Sequence, residues 1–533
     1  MQYSPDSNAA TGASSSPWIK KPLSVVYQQE HARADSLHGC GPPSSRTSPD
    51  DAQHSLRRHL SVWDLIGIGV GGTVGSGIFV LTGQIASENS GPLTALSFLI
   101  SGLAACCSGM CYAELSGRIP AAGSTYVYAY VCLGEIAAVI SASCLTLEYG
   151  IAGAAVARSW GDKVIEWMAD FLPAVRLLEF GPGGMVNVPA GLISMGCTIL
   201  LLMGVQESKR VTNFFTVLKM LIVVFMTIGG FVLMQPKNFK PLAPFGIQGV
   251  LRGATSSFFG YLGYDEVCCV AGEAIDPTRT MPRAVLGTLI IVTVCYVLSA
   301  VAITGMLPYS QISPTSGFPD AFEQRGWIWA SQITAIGELV CLPVVVLVSL
   351  MAQPRVALSM AQDGLLPSVF SRLDDQGNLY SGTLLCGIVM AAIAAFVPFQ
   401  YLNDLISAGI LVAFSMTNCC LVLLRCQTPT HAPKQLEVLL VLFNSGCFIA
   451  ALLWSHDFLF IPFKQTFWAV IATLLTFYCL IYMATTCPKS AHFGGSILPP
   501  PRPGQLMHLP DEYFQTPFVP YLPCIGMAIN WYL

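Results

Sequence analysis

The chain has 533 residues, 53% of them hydrophobic and only 11% charged, with a formal net charge of −4, a mean hydropathy of +0.60 and a pI of about 6.1. Soluble domains carry about 25% charged residues, so the composition excludes an ordinary soluble fold and points to an integral membrane protein. The slightly acidic balance excludes a basic nucleic-acid-binding surface.

Residues 1–60 are rich in Ser, Pro, Gly, Ala and His without apolar periodicity. They read as a disordered cytosolic tail rather than a signal peptide, because no 7–15-residue apolar core follows the start. Ser61-Val62-Trp63-Asp64 has the form of a capping box, with Asp64 near the positive end of the first helix. Hydrophobic windows long enough to span a bilayer then recur. The expected spans lie near 62–84, 91–116, 126–157, 185–206, 211–234, 249–273, 283–306, 328–353, 382–398, 402–425, 436–456 and 463–486. A thirteenth apolar run, from about Phe518, ends at Leu533 and is too short to cross. It predicts a fragment or a last segment that only enters the membrane. The proline run Pro499-Pro500-Pro501-Arg502-Pro503 before it reads as a stiff linker.

The first span carries Gly67-Ile68-Gly69-Val70-Gly71-Gly72-Thr73-Val74-Gly75-Ser76-Gly77. Each glycine costs a helix interior about 1 kcal/mol against alanine, so this helix is expected to break. The match of Gly67-x-Gly69-x-x-Gly72 to a dinucleotide fingerprint fails for want of a preceding strand. The small-xxx-small spacing of Gly71 and Gly75 would by itself allow close helix packing. A second interruption, Ser257-Phe258-Phe259-Gly260-Tyr261-Leu262-Gly263-Tyr264-Asp265-Glu266, lies five spans later. Broken helices at corresponding positions of two inverted repeats are where secondary transporters bind substrate, so the pair favours a break over mere packing.

Lys and Arg number 17 on the side of the N-terminus and 8 on the other, which places the N-terminus in the cytosol. The remaining one, Lys219, sits mid-span in Thr216-Val217-Leu218-Lys219-Met220-Leu221. An ionisable group at that depth is costly unless paired or facing water, which makes it a coupling candidate. Glu148, mid-span in Leu145-Thr146-Leu147-Glu148-Tyr149, is expected to pair with Lys219 or to carry a proton; Asp265, within the second break, joins it. Glu338 lies within a span with no role assigned. The 19 cysteines show no metal-ligand spacing and read as buried thiols. Neither a metal nor a cofactor is expected, and the eight histidines form no cluster that would favour a membrane enzyme.

On four stretches the chain resembles the amino acid–polyamine–organocation superfamily, and within it the cationic amino acid transporter family. They are Gly75-Ser76-Gly77-Ile78-Phe79-Val80-Leu81-Thr82-Gly83; the loop Cys111-Tyr112-Ala113-Glu114 through Arg118, Pro120, Gly123-Ser124, Tyr126 and Tyr128; Gly272-Glu273-Ala274-Ile275-Asp276-Pro277 with Met281-Pro282-Arg283; and Gln353-Pro354-Arg355 with Asp363-Gly364-Leu365-Leu366. The resemblance implies an all-α integral membrane protein of LeuT-type fold, with two inverted five-helix repeats and additional C-terminal helices. That gives a tail at 1–60, a ten-helix core at 61–425 and further membrane helices at 426–533, with about one and a half spans missing. It also implies that backbone N–H groups at Ser76 and Gly77 take the substrate α-carboxylate, with the Thr73 carbonyl nearby and Ile78 among the substrate-binding residues. Carbonyls at Phe259, Gly260 and Leu262 would take the α-ammonium, with Phe259 as an aromatic gate. The span-five position of Lys219 implies transport without sodium, proton-coupled or facilitative.

The expected function is secondary transport of a basic amino acid such as arginine or lysine, the basic preference resting on the resemblance alone. No carboxylate is assignable to a guanidinium from sequence, so a neutral amino acid or polyamine substrate stays open. An amino acid sensor binding without flux is the other reading, favoured only by the tail. The partners are then the amino acid, the bilayer and protons, with no nucleic acid and no obligate protein partner. The plasma membrane is the expected address, with the vacuolar or lysosomal membrane as the alternative.

Overall fold

The computed structural model describes residues 20–21, 58–75, 77–169, 179–180, 186–203, 205–314, 316–373, 378–397, 403–429, 431–454, 462–490, 493–494 and 513–532. Most of the expected tail, the whole proline run and Ser76 lie outside them. Among the described residues the fold is all-α apart from a two-residue antiparallel pair, Glu179–Phe180 with Val186–Asn187.

In order the helices are α1 (Val62–Thr73), α2 (Thr94–Arg118), α3 (Thr125–Cys132), α4 (Glu135–Thr146), α5 (Ala152–Ala169), α6 (Val188–Leu202), α7 (Val205–Val232), α8 (Gly246–Phe258) and α9 (Glu266–Cys269). They continue as α10 (Pro277–Met306), α11 (Gly317–Gln324), α12 (Ile328–Gln362), α13 (Tyr380–Phe396), α14 (Asn403–Arg425), α15 (Gln435–Trp454), α16 (Pro462–Thr486) and α17 (Tyr521–Tyr532). Among the described residues, seven helical stretches are long and apolar enough to cross a membrane, and α1, α6, α13 and Gly409–Arg425 are shorter apolar helices.

Helix α1 starts as expected. The Ser61 hydroxyl accepts from the Asp64 amide, and the Asp64 carboxylate accepts from the Ser61 amide at 3.0 Å, closing the capping box. It ends where Val74 turns extended, and the chain returns to helix at Gly77, running through π- and α-helical turns to Ser90. The second interrupted span is α8, a short 3₁₀ turn at Phe259–Tyr261, and α9.

The expected span 126–157 is corrected. It is not one helix, because α3 stops at Leu133 and Gly134, at φ +102°, redirects the chain into α4. A left-handed φ of this size suits glycine and no side-chain-bearing residue without strain. Helices α4 and α5 are joined by a π-helical turn at Leu147–Ile151.

Helix α1 packs against α7, α9, α10 and α12, so the first break sits inside the bundle rather than on its lipid-facing side. Helix α2 runs along α10 and α8, α13 along α6, and α15 pairs with α16 at the periphery, where their outer faces expose Val441, Leu442, Phe467, Leu474, Leu475 and Phe477. Helix α17 closes against α14, α15 and α2.

One end of the bundle is tied by buried ions. Glu114 pairs with Arg118 at 3.1 Å and Arg425 at 3.5 Å, and it accepts the Thr516 amide at 2.7 Å. Arg355 pairs with Glu273 at 2.6 Å. Asp363 accepts the Tyr126 hydroxyl at 2.9 Å and the Lys21 ammonium at 2.6 Å, while nearer the surface the partly exposed Lys20 pairs with Glu437. Removing one member of a buried ionic cluster strands the others in low dielectric, at about 3–5 kcal/mol. Glu114→Ala is therefore expected to lower the melting temperature of detergent-solubilised protein strongly. Unchanged melting would show that Arg118 and Arg425 find other partners.

Candidate substrate and coupling site

The two breaks touch through bare backbone. A Cβ placed on Gly77 would lie 2.7 Å from the Gly260 Cα and 2.7 Å from the Tyr296 hydroxyl oxygen. Gly263, at φ +109°, faces the backbone of the first break: a Cβ there would meet the Gly72 carbonyl carbon at 3.0 Å and the Thr73 nitrogen at 3.1 Å. Real Cβ atoms essentially never approach to 2.7 Å, so the crossing at Gly77 exists because that position carries no side chain. At Gly263 a side chain would be both tight and strained by the left-handed φ.

Tyr296, fully buried on α10, bridges both breaks. Its hydroxyl oxygen lies 3.0 Å from the Thr73 carbonyl and 2.8 Å from the Gly260 carbonyl. A hydroxyl has one proton, so it donates to one of these carbonyls at a time. The Phe259 carbonyl accepts the Leu262 amide at 3.3 Å, and Leu262 itself is extended. Phe259 and Leu262 are half-buried beside this turn, whereas Ile78 is fully buried. The structure thus brings Thr73, Gly77, Gly260 and Gly263 together, with Ile78, Phe259 and Leu262 on the same two segments. Ser76 lies outside the described residues.

Lys219 is fully buried and donates from Nζ to the Gly71 carbonyl at 2.8 Å, in the last turn of α1. The expected pairing of Glu148 with Lys219 is corrected: the lysine is held by the helix carbonyl, and Glu148 interacts instead with Asp265. The π turn carries both Glu148 and Tyr149 to the interior. Tyr149 donates to Asp265 Oδ2 at 2.5 Å, leaving Asp265 Oδ1 and both Glu148 oxygens without a hydrogen bond among the described residues. The Thr73 and Tyr264 hydroxyls and the Gln353 carbonyl oxygen are buried and unpartnered likewise. Buried polar atoms are nearly always satisfied, so their concentration marks a place built to meet something polar.

Three functional candidates escaped the sequence reading. Tyr296 stands in Val292-Thr293-Val294-Cys295-Tyr296-Val297, where nothing distinguishes it from an apolar packing residue. Glu266 was visible as an acid in the second break but not as an inward-facing one. Ser349, which donates to Glu266 Oε1 at 2.7 Å, is one serine in an apolar stretch of α12. Glu338 pairs with Lys163, a tie between α12 and α5.

Residues 60–491 match the family model described as amino acid permease. The chain belongs to the amino acid permease family. Its relatives include the vacuolar cationic amino acid transporter 4 of Arabidopsis thaliana, 37% identical over 72% of this chain and 66% of that protein. The methylthioribose transporter of Bacillus subtilis is 35% identical over 73% of this chain and 85% of its own length. Cationic amino acid transporter 1 of Arabidopsis thaliana is 31% identical over 90% of this chain and 78% of its own. The chain is thus a multi-pass membrane permease, not an enzyme, and its two broken helices fit the inverted-repeat transporter fold.

In this permease a methyl group at the crossing has nowhere to go. Gly77→Ala should push the breaks apart at about 1–3 kcal/mol, a loss of roughly tenfold or more in substrate affinity. Normal affinity in that variant would remove the crossing from the site. Tyr296→Phe removes the bridging hydroxyl, and about 1–3 kcal/mol of stability in this arrangement should go with it, read as a lower melting temperature.

Proposed function

We propose that the permease moves a basic amino acid such as arginine or lysine by alternating access, without sodium, driven by protons or by exchange. The carrying observation is the buried ammonium of Lys219 on the Gly71 carbonyl, beside the crossing of the two breaks. A fixed ammonium there uses a helix-end oxygen that a sodium ion would otherwise take. A basic substrate is supported by Glu148 and Asp265, whose unpartnered oxygens are a match for a cationic side chain, and by the two relatives named as cationic amino acid transporters.

The α-carboxylate is assigned to the N–H groups at Ser76 and Gly77, the Ile78 amide being held by the Gly75 carbonyl at 3.2 Å. The α-ammonium is assigned to the carbonyls at Gly260 and Leu262, with Thr73, Ile78 and Phe259 completing the site. Residues 61–425 are taken as the transporting core, 426–533 as accessory helices, and the N-terminus as cytosolic from the Lys and Arg asymmetry. The plasma membrane is the working address. The vacuolar membrane, named for one relative, is the other outcome of imaging a tagged full chain.

A different substrate class is the second reading, because one relative is named for methylthioribose. Uptake of labelled arginine, lysine and alanine into sodium-free proteoliposomes, with and without an inward proton gradient, separates the readings. Gradient-stimulated arginine uptake is expected. Alanine uptake alone would overturn the basic substrate, and binding without flux would favour a sensor. Lys219→Ala should abolish or uncouple uptake while expression persists, and Glu148→Gln should flatten the pH profile; unchanged uptake and pH dependence in both would end their coupling role.

A further inference from the structure

We propose that Glu266 is the proton partner of Lys219, so that coupling is carried by a buried lysine–glutamate pair set on consecutive residues of α1. This rests on the reading of Lys219 as the coupling group. Glu266 opens α9 immediately after the second break and is almost fully buried. Its Oε1 is fixed by the Ser349 hydroxyl of α12 at 2.7 Å, whereas Oε2 takes no hydrogen bond among the described residues. That free oxygen faces Gly72 so closely that a Cβ there would overlap it. Lys219 holds the carbonyl of Gly71, the preceding residue. The two groups are not ion-paired, but they interact electrostatically across the last turn of α1.

Every helix packed around this turn brings a known set of titratable groups. Helix α7 brings Lys219; its Glu207, Lys209 and Arg210 stand at its start, well before Lys219 along the helix. The second break brings Asp265 beside Glu266; the π turn brings Glu148, which interacts with both acids. Helix α12 brings Cys341 near Lys219, while its Glu338 and Arg355 are engaged by Lys163 and Glu273. The charged residues of α1 and α10 are Asp64, Arg279 and Arg283, near the starts of those helices and far along the chain from Gly72. Lys219 is the only lysine or arginine among these groups left to neutralise Glu266.

The proton step balances within the pair. A swing of the ammonium from the Gly71 carbonyl toward Glu266 breaks one N–H bond and forms an O–H bond at Oε2. The electron pair stays on Nζ, and the net charge of the pair is zero before and after. A proton arriving from the aqueous side re-forms the ammonium and leaves the pair at +1; its release to the other side completes one cycle. Gly71 and Gly72 lead directly into Thr73, whose carbonyl holds Tyr296, so any rearrangement of the first break moves both proton-bearing groups together.

The test uses full-length protein in sodium-free proteoliposomes, with labelled arginine and an imposed proton gradient. Glu266→Gln keeps an acceptor for Ser349 but cannot take a proton. It should lose gradient stimulation while still exchanging internal for external arginine, and Glu266→Asp should restore a gradient response. Lys219→Ala serves as the comparison. Loss of stimulation in Lys219→Ala with full stimulation in Glu266→Gln would overturn the pair and leave the lysine reading intact. Full stimulation in Lys219→Ala, or none in the unsubstituted protein, would overturn both. Failure of exchange in Glu266→Gln that Glu266→Asp also shows would assign Glu266 a packing role and overturn the proposal.

Discussion

Two helices of this permease are broken at the same depth, and the broken ends lie against each other with no side chain between them. Everything near the candidate site follows from that contact. Backbone groups freed from a helix inside a membrane need partners in the protein, because lipid offers none. Tyr296 serves one carbonyl from each break in turn, and Lys219 a further one at the end of α1. The crossing also brings three carboxylates, Glu148, Asp265 and Glu266, into a region with one lysine. Such a cluster is stable only if protons or a cationic guest offset part of its charge. A charge imbalance of this kind is what a device exchanging one cation for another requires.

Away from the crossing, the ionic ties at one end do a different job. Glu114 and Arg118 at the end of α2, Glu273 and Arg355, which carry the resemblance to the transporter family, are engaged with one another's charges and not with the crossing of the two breaks. The Glu114 cluster holds α2, α14 and the segment before α17 as one piece. The Arg355–Glu273 pair instead anchors the far end of the second broken segment to α12.

How much of this was legible in the sequence depends on whether a residue's chemistry or its direction mattered. The two breaks were legible because glycine in a membrane helix has few explanations, and Lys219 because a mid-span charge has fewer still. The start of α1 followed from its capping box. Direction was not legible. Asp265 and Glu266 are neighbours in sequence, and only the 3₁₀ turn and the short α9 decide that one meets Tyr149 and the other Ser349. Glu148 and Lys219 are both mid-span, but which neighbour each faces is set by helix rotation, and the π turn alters that rotation. The division of the third expected span at Gly134 was hidden because the apolar run continues across it. Tyr296 was hidden because an aromatic residue in an apolar helix looks like packing until its hydroxyl has a partner.

The π turn at Leu147–Ile151 has one more consequence. A wider turn accommodates an extra residue, so everything in α5 is rotated by about 100° relative to an uninterrupted helix. Deleting one residue here would restore regular winding and cost the helix nothing in hydrogen bonds. It would nevertheless swing Arg158, Gly161 and Lys163 away from the Ala395 carbonyl, Asn187 and Glu338 that they face on other elements. Length in this span is therefore under tighter constraint than composition: many side chains could be exchanged, but insertions and deletions would misalign two halves of the protein at once.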